Sequence, residues 1–175
     1  LADPLEVIAF EQRRLVNTSY PHRRKSLYAE EGFKPSRRKR IMNEPGTIAK
    51  ILRESKVIAV VGLSDKPERP SYGVAEYLVQ NGYRVVPVNP NIKEWKGLRA
   101  YPNLTSIPLK VDAVDIFRKS EMVPEAVDEA IAIRARAVWM QLGVLNAEAA
   151  EKAERAGLLV VMDRCMKIEH SKMRK

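Results

Sequence analysis

The chain has one cysteine, two histidines and few aromatic side chains, which make up 6% of its 175 residues. No apolar run approaches the roughly 18–20 residues needed to cross a bilayer, so a membrane protein of the helical kind is not expected. With Cys165 alone there is no internal disulfide and no zinc site built on cysteine pairs, which leaves only the roles open to a lone thiol. The opening residues Leu1-Ala2-Asp3-Pro4 lack the basic-then-apolar order of a secretory signal, and a cytoplasmic protein is expected. His22 lies in a basic stretch and His170 near the end. They complete no Ser-His-Asp order, no HExxH and no pair of metal ligands, so no catalytic and no metal-binding residue is assigned.

What is present is the composition of an ordinary globular protein, with 45% apolar and 30% charged residues. The length suits one domain of about 100–150 residues plus an arm. A net charge of +9 favours anionic partners without choosing among them. The abundance of Lys, Arg and Glu beside a single cysteine fits a thermophile.

Residues 1–46 differ in kind from the rest and are assigned as a basic extension. Arg23-Arg24-Lys25 and Arg37-Arg38-Lys39-Arg40 flank a stretch without steady period, which buries too little to offset its ordering entropy. Tyr20, Tyr28 and Phe33 would let residues 23–40 stack bases in a nucleic-acid-binding arm. The preferred reading is plainer, a solvated tail or a leader foreign to the native protein.

Residues 47–175 alternate helix and strand signals. Thr47 caps a short helix, and Val57-Ile58-Ala59-Val60-Val61 is a continuous apolar run of the kind buried on both faces of a sheet. A helix over 74–81 ends at Gly82, and a second strand, Arg84-Val85-Val86-Pro87-Val88, follows. The stretch 91–108 reads as connection with a short strand near Ala100-Tyr101. Further strands are expected at 113–117, 137–141 and 158–162, with helices at 123–136, 147–156 and 166–175. Strands joined by helices of ten to fifteen residues form right-handed crossovers, so the fold expected is α/β, a doubly wound, Rossmann-like parallel sheet. Ligands of such sheets sit beyond the carboxyl ends of the strands, where the strand order reverses.

The first strand is followed by Gly62-Leu63-Ser64-Asp65-Lys66-Pro67-Glu68-Arg69-Pro70-Ser71-Tyr72-Gly73, which is not GxGxxG. Gly62 permits a sharp turn and close approach to a phosphate, Ser64 and Ser71 offer hydroxyls, and Lys66 and Arg69 offer charge. The second strand ends in Val88-Asn89-Pro90 without the carboxylate that holds the ribose of NAD. An adenine nucleotide remains in view there, with Asn89 able to bond its edge. After the third strand, Phe117-Arg118-Lys119 offers an aromatic face and two cations.

Taken together, Ile58-Ala59-Val60-Val61-Gly62-Leu63-Ser64, Arg69-Pro70-Ser71-Tyr72-Gly73-Val74, Pro87-Val88-Asn89-Pro90, Val114-Asp115-Ile116-Phe117-Arg118, Val138-Trp139-Met140-Gln141-Leu142-Gly143 and Asp163-Arg164-Cys165 resemble the small CoA-binding proteins. Their domain is similar to the N-terminal domain of the succinyl-CoA synthetase alpha subunit. The resemblance implies that Gly62, Ser64, Arg69, Ser71, Tyr72 and Gly73 hold phosphates and that Val88, Asn89 and Pro90 line the adenosine pocket. It implies further that Phe117 and Arg118 flank the nucleotide while Gln141, Leu142 and Gly143 face the pantetheine arm. Lys66 joins this set on charge alone.

The function expected is binding of coenzyme A or an acyl-CoA, as a carrier, sensor or regulatory subunit without ligase chemistry of its own. Cys165 follows the last strand, where Arg164 and Lys167 would favour its thiolate and a mixed disulfide with the coenzyme. An NADP-dependent oxidoreductase and a nucleic-acid-associated protein are the alternatives.

Overall fold

A computed structural model describes residues 42–174. The basic stretch 23–40, and with it the nucleic-acid alternative, lies outside the described residues. Five parallel strands form one sheet: β1 (Val57–Val61), β2 (Arg84–Val88), β5 (Ala113–Ile116), β6 (Ala137–Met140) and β7 (Leu159–Val161), in the spatial order β2-β1-β5-β6-β7. β1, β5 and β6 are flanked on both sides and consist almost wholly of buried apolar residues, as the uninterrupted runs require.

Helices cover both faces, as expected for a doubly wound sheet. On one face α1 (Pro45–Glu54), α2 (Pro70–Gln80) and α5 (Met166–Lys172) pack over Ile58, Val60, Trp139 and Val161. On the other, α3 (Val123–Ala132) and α4 (Ala147–Arg155) cover Ala59, Val114, Val138 and Met140. Ala149, Ala150 and Ala153 make the buried side of α4, and small side chains there permit close packing. Asn146 caps α4 by accepting from the Ala149 amide at 2.9 Å, as its sequence position promised.

Both sheet edges are blunted. At the β7 edge the Asn43 side chain imitates a strand, donating to the Met162 carbonyl at 2.8 Å and accepting from the Met162 amide at 2.9 Å. At the β2 edge Tyr101 donates to the Pro87 carbonyl and accepts from the Asn89 amide, both at 2.9 Å. Pro87 therefore turns its missing N–H away from β1, where no ladder bond is lost.

Several boundaries differ from the sequence-based expectation. α2 begins at Pro70 rather than at 74, because proline at the first helical position lacks only an N–H that would have no partner there. Ser71, Tyr72 and Gly73 thus belong to a helix's first turn, not to a loop. α3 stops at Ala132, short of 136, since Arg134 takes a left-handed φ of 56° that the sequence gives no glycine to signal. Residues 91–108 contain an unforeseen hairpin, β3 (Glu94–Trp95) and β4 (Leu98–Arg99). It turns on Lys96 and Gly97 with φ of 50° and 77°.

Candidate functional site

β1 bonds β2 on one side and β5 on the other, so the strand order reverses around it, the place where such sheets open a crevice. The loops after β1 and β5 touch at their base. Gly62 has φ of 85°, and a Cβ placed there would lie 2.3 Å from the Phe117 carbonyl oxygen and 3.4 Å from the Arg118 side chain. The glycine is therefore required first by the Phe117 backbone, a nearer neighbour than any phosphate. Its amide donates to the Val88 carbonyl at 2.8 Å, while the Phe117 amide donates to the Val61 carbonyl at 2.8 Å. Three strand ends are joined in this way, with Arg118 laid over the turn.

The loop from Gly62 to Arg69 supports itself. Ser64 N–H donates to Ser71 Oγ at 3.0 Å, Lys66 N–H to Ser64 Oγ at 3.2 Å, and Arg69 N–H to the Lys66 carbonyl at 3.0 Å. Each serine oxygen thus accepts a bond and keeps its own O–H to donate. Hydroxyls in that condition, at the start of a helix, suit an anion better than a cation. Lys66 and Arg69 are exposed and Arg118 is half-buried. None of the three forms an ion pair among the described residues, although Asp65 and Glu68 stand in the same loop. Gly73 meets nothing within 4 Å of an added Cβ, so open space lies beside the first turn of α2. Tyr72 packs edge-on against Trp95, their ring centroids 5.4 Å apart.

At the end of β2 the residues divide. Val88 is buried in the core at 2% exposure and Pro90 is exposed. Asn89 donates through Nδ2 to the Leu63 carbonyl at 2.9 Å and accepts at Oδ1 from the Asn91 amide at 3.0 Å. Its amide ties the two loops together and still has one N–H and one lone pair in hand. Phe117 is half-buried against the core.

Beyond β6, Gln141 is buried, Leu142 is 50% exposed, and the Gly143 amide donates to Asp163 Oδ1 at 2.7 Å. Gln141 Nε2 donates to both carboxyl oxygens of Asp115, at 2.8 and 3.0 Å. Asp115 was given no role from sequence. The signal available was an acid within the apolar run Ala113-Val114-Asp115-Ile116-Phe117. It is fully buried, and burial pushes its carboxyl up to about 8 against the opposing pull of the Gln141 bond.

A family model described as a CoA binding domain matches residues 56–171. The chain belongs to this CoA-binding family. Its domain is 41% identical over 124 residues to the uncharacterized protein YneT of Bacillus subtilis, covering 71% of this chain and 92% of that one. It is 31% identical over 121 residues to an ADP-forming acetate–CoA ligase of Archaeoglobus fulgidus, covering 63% of this chain and only 18% of the ligase. A solved hypothetical protein from Pyrococcus horikoshii superposes with a TM-score of 0.73 at 42% identity, over 75% of this chain and 93% of that one.

Two features of this CoA-binding domain bear on chemistry. Cys165, expected as a thiolate, is 8% exposed, and burial pushes its thiol up, outweighing the bonds from the Ile168 and Lys167 amides and the Lys167 charge. Burial therefore opposes the thiolate that the neighbouring cations were expected to favour. His170 is held by packing, its Nδ1 2.9 Å from the Tyr77 hydroxyl and its ring edge-on to Tyr77 and Tyr83. Among the described residues no three His, Cys, Asp or Glu side chains group as metal ligands, and no helix is long and apolar enough to cross a membrane.

Proposed function

We propose that residues 47–175 hold coenzyme A or an acyl-CoA across the carboxyl edge of the sheet, as a carrier, sensor or regulatory subunit, and that 1–46 are an extension outside that task. The observation that carries this reading is the placement of Ser64, Lys66, Arg69 and Ser71 after β1 and of Arg118 beside Gly62 after β5, the hydroxyls with O–H to donate and the cations without ion pairs among the described residues. Diphosphate is the chemistry such a set accepts. The match to a CoA binding domain and the likeness to part of an acetate–CoA ligase support coenzyme A as the ligand. His170 is held against Tyr77 and Tyr83, and the reading gives this chain no ligase chemistry of its own.

The test is calorimetric titration of the full chain with coenzyme A, NAD and NADP at moderate ionic strength. Saturable binding of coenzyme A alone is expected. Saturation by NADP in its place would assign Arg69 and Arg118 to a 2′-phosphate and favour an oxidoreductase. Absence of heat and saturation with coenzyme A would overturn the reading.

A further inference from the structure

We propose that the groove on the outer edge of β2 is a second ligand site, one that takes a small carboxylate with an apolar body. The inference goes beyond the coenzyme A reading and does not depend on it. Tyr101 covers the edge of β2 only at its carboxyl end, where it bonds Pro87 and Asn89. Along the edge lies a groove of about 320 Å³, walled by Val79 of α2, Val85 and Pro87 of β2, Leu98 and Tyr101 of the returning chain, and Leu109. Small-molecule sites start at roughly 300 Å³, so the space suits one small body. None of the groove's residues belongs to the set assigned to the coenzyme.

Val79 is 44% and Leu98 39% exposed, two of the five large apolar side chains left exposed among the described residues, and both line this one groove. An apolar body laid between them removes that surface from water. The charge in the lining is of one sign. Arg84 and Arg99 both border the groove, both are exposed, and neither forms an ion pair among the described residues. Glu94, the register partner of Arg99 across the hairpin, does not pair with it. The Arg99 guanidinium lies over the Tyr101 ring, 5.4 Å from its centroid, so its charge is held against the wall of the groove. A guanidinium presents a planar fork of donors that matches the two oxygens of a carboxylate. A bare anion would leave the apolar walls wet, and a neutral hydrocarbon would leave both guanidiniums unpartnered. An amphipathic carboxylate answers both.

The experiment follows backbone amide NMR shifts of the full chain during titration with octanoate, with acetate as the charge without the body and octanamide as the body without the charge. Expected are saturable shifts at Val79, Leu98, Arg99 and Tyr101 with octanoate, and weaker responses there to either control. Arg99→Gln and Arg84→Gln, both at exposed positions where folding is not at stake, should each weaken octanoate about three- to tenfold. Saturable binding of coenzyme A should persist in both variants wherever wild type shows it. An equal response to acetate would reduce the site to a charge contact, and an equal response to octanamide would leave the arginines without a role; either overturns the inference. So would octanoate shifts centred on 64–73, which would place the carboxylate among the cations of the coenzyme site, or no saturation at all. Shifts at the groove that depend on protein concentration without any carboxylate would seat a second copy of the chain there and also overturn it. Failure of wild type to bind coenzyme A, with octanoate still bound at the groove, would defeat the coenzyme reading alone.

Discussion

The two ends of the sheet are built from the same kinds of residue and treat charge in opposite ways. At the amino end Asp112 Oδ2 accepts from the Lys56 and Val57 amides, each at 2.9 Å, its carbonyl takes the Arg136 amide, and the Arg136 guanidinium pairs with Glu54 at 2.5 Å. At the carboxyl end Lys66, Arg69, Arg118 and Lys119 form no ion pair among the described residues. A parallel sheet points the starts of its following helices toward the carboxyl end, so partial positive charge collects there along with those cations. The amino end is closed by its own polar groups, whereas the carboxyl end is left with capacity for an anion.

The most severe break in that arrangement is Gly62→Ala. A methyl group 2.3 Å from a backbone oxygen, at φ of 85°, forces the β1 and β5 ends apart. A stability loss of about 3 kcal/mol or more is expected in urea unfolding, with ligand binding lost as well. Asp115 gives the next effect, through pH. Its carboxyl is raised from an ordinary 3.8 to about 8, so the folded state holds the proton more tightly than the unfolded one. Stability should therefore fall as pH rises from about 4 to 8, by up to about 1.4 kcal/mol per unit, and level off above. His170 acts with the opposite sign, since burial lowers it and its contribution is lost as pH falls below its ordinary range. Asp115→Asn should flatten the descent toward pH 8, and an unchanged slope in pH-stepped urea curves would contradict the burial argument.

Asp112→Ala tests the closed end. Burial by itself would raise this carboxyl, but the bonds from Val57 and Lys56, aided by Arg136 and Lys110, hold it below the usual range. Its contribution is present above the unfolded value near 3.8 and is lost as pH falls through the lower folded value. The variant should lose about 1–2 kcal/mol at neutral pH with coenzyme A affinity unchanged. A fall in affinity would show that the two ends are coupled.

How much of this could be read from sequence depended on range. β1 was legible to the residue, because Val57 to Val61 is apolar throughout and Gly62 ends it. The doubly wound order followed from strands spaced by helices. The β3–β4 hairpin was invisible, since two-residue strands carry no period and Lys96 is not a residue that announces a left-handed turn. The residues expected to form the site do stand at strand ends, and the loops after β1 and β5 do meet. The bonds each residue makes there were not legible. Asn89 has the right chemistry for a base edge, but its bonds to Leu63 and Asn91, which use one N–H and one lone pair of the amide, are fixed only by three-dimensional packing. For Cys165 the cationic neighbours are visible in sequence, whereas the burial that opposes its thiolate is not.

Two smaller changes sharpen the open end. Arg118→Ala removes a cation beside the Gly62 turn that forms no ion pair among the described residues, so stability should hold within about 0.5 kcal/mol. Coenzyme A affinity should fall about tenfold at low salt and less at high salt, as a screened charge contact requires. Equal loss at all salt concentrations would instead indicate packing by the arginine stem.

Gly73→Ala separates protein from ligand most cleanly. The residue lies in the first turn of α2 without a positive φ, and beyond the helix's own backbone and its chain neighbours an added Cβ meets none of the described residues within 4 Å. Alanine there should raise stability by about 0.5 kcal/mol, because glycine loses more backbone freedom on entering a helix. The same methyl group enters the open space assigned to the phosphates. Higher melting temperature together with weaker coenzyme A binding would show that the ligand occupies that space. Higher melting temperature with unchanged affinity would move the phosphates away from α2, toward Arg118 and the end of β5.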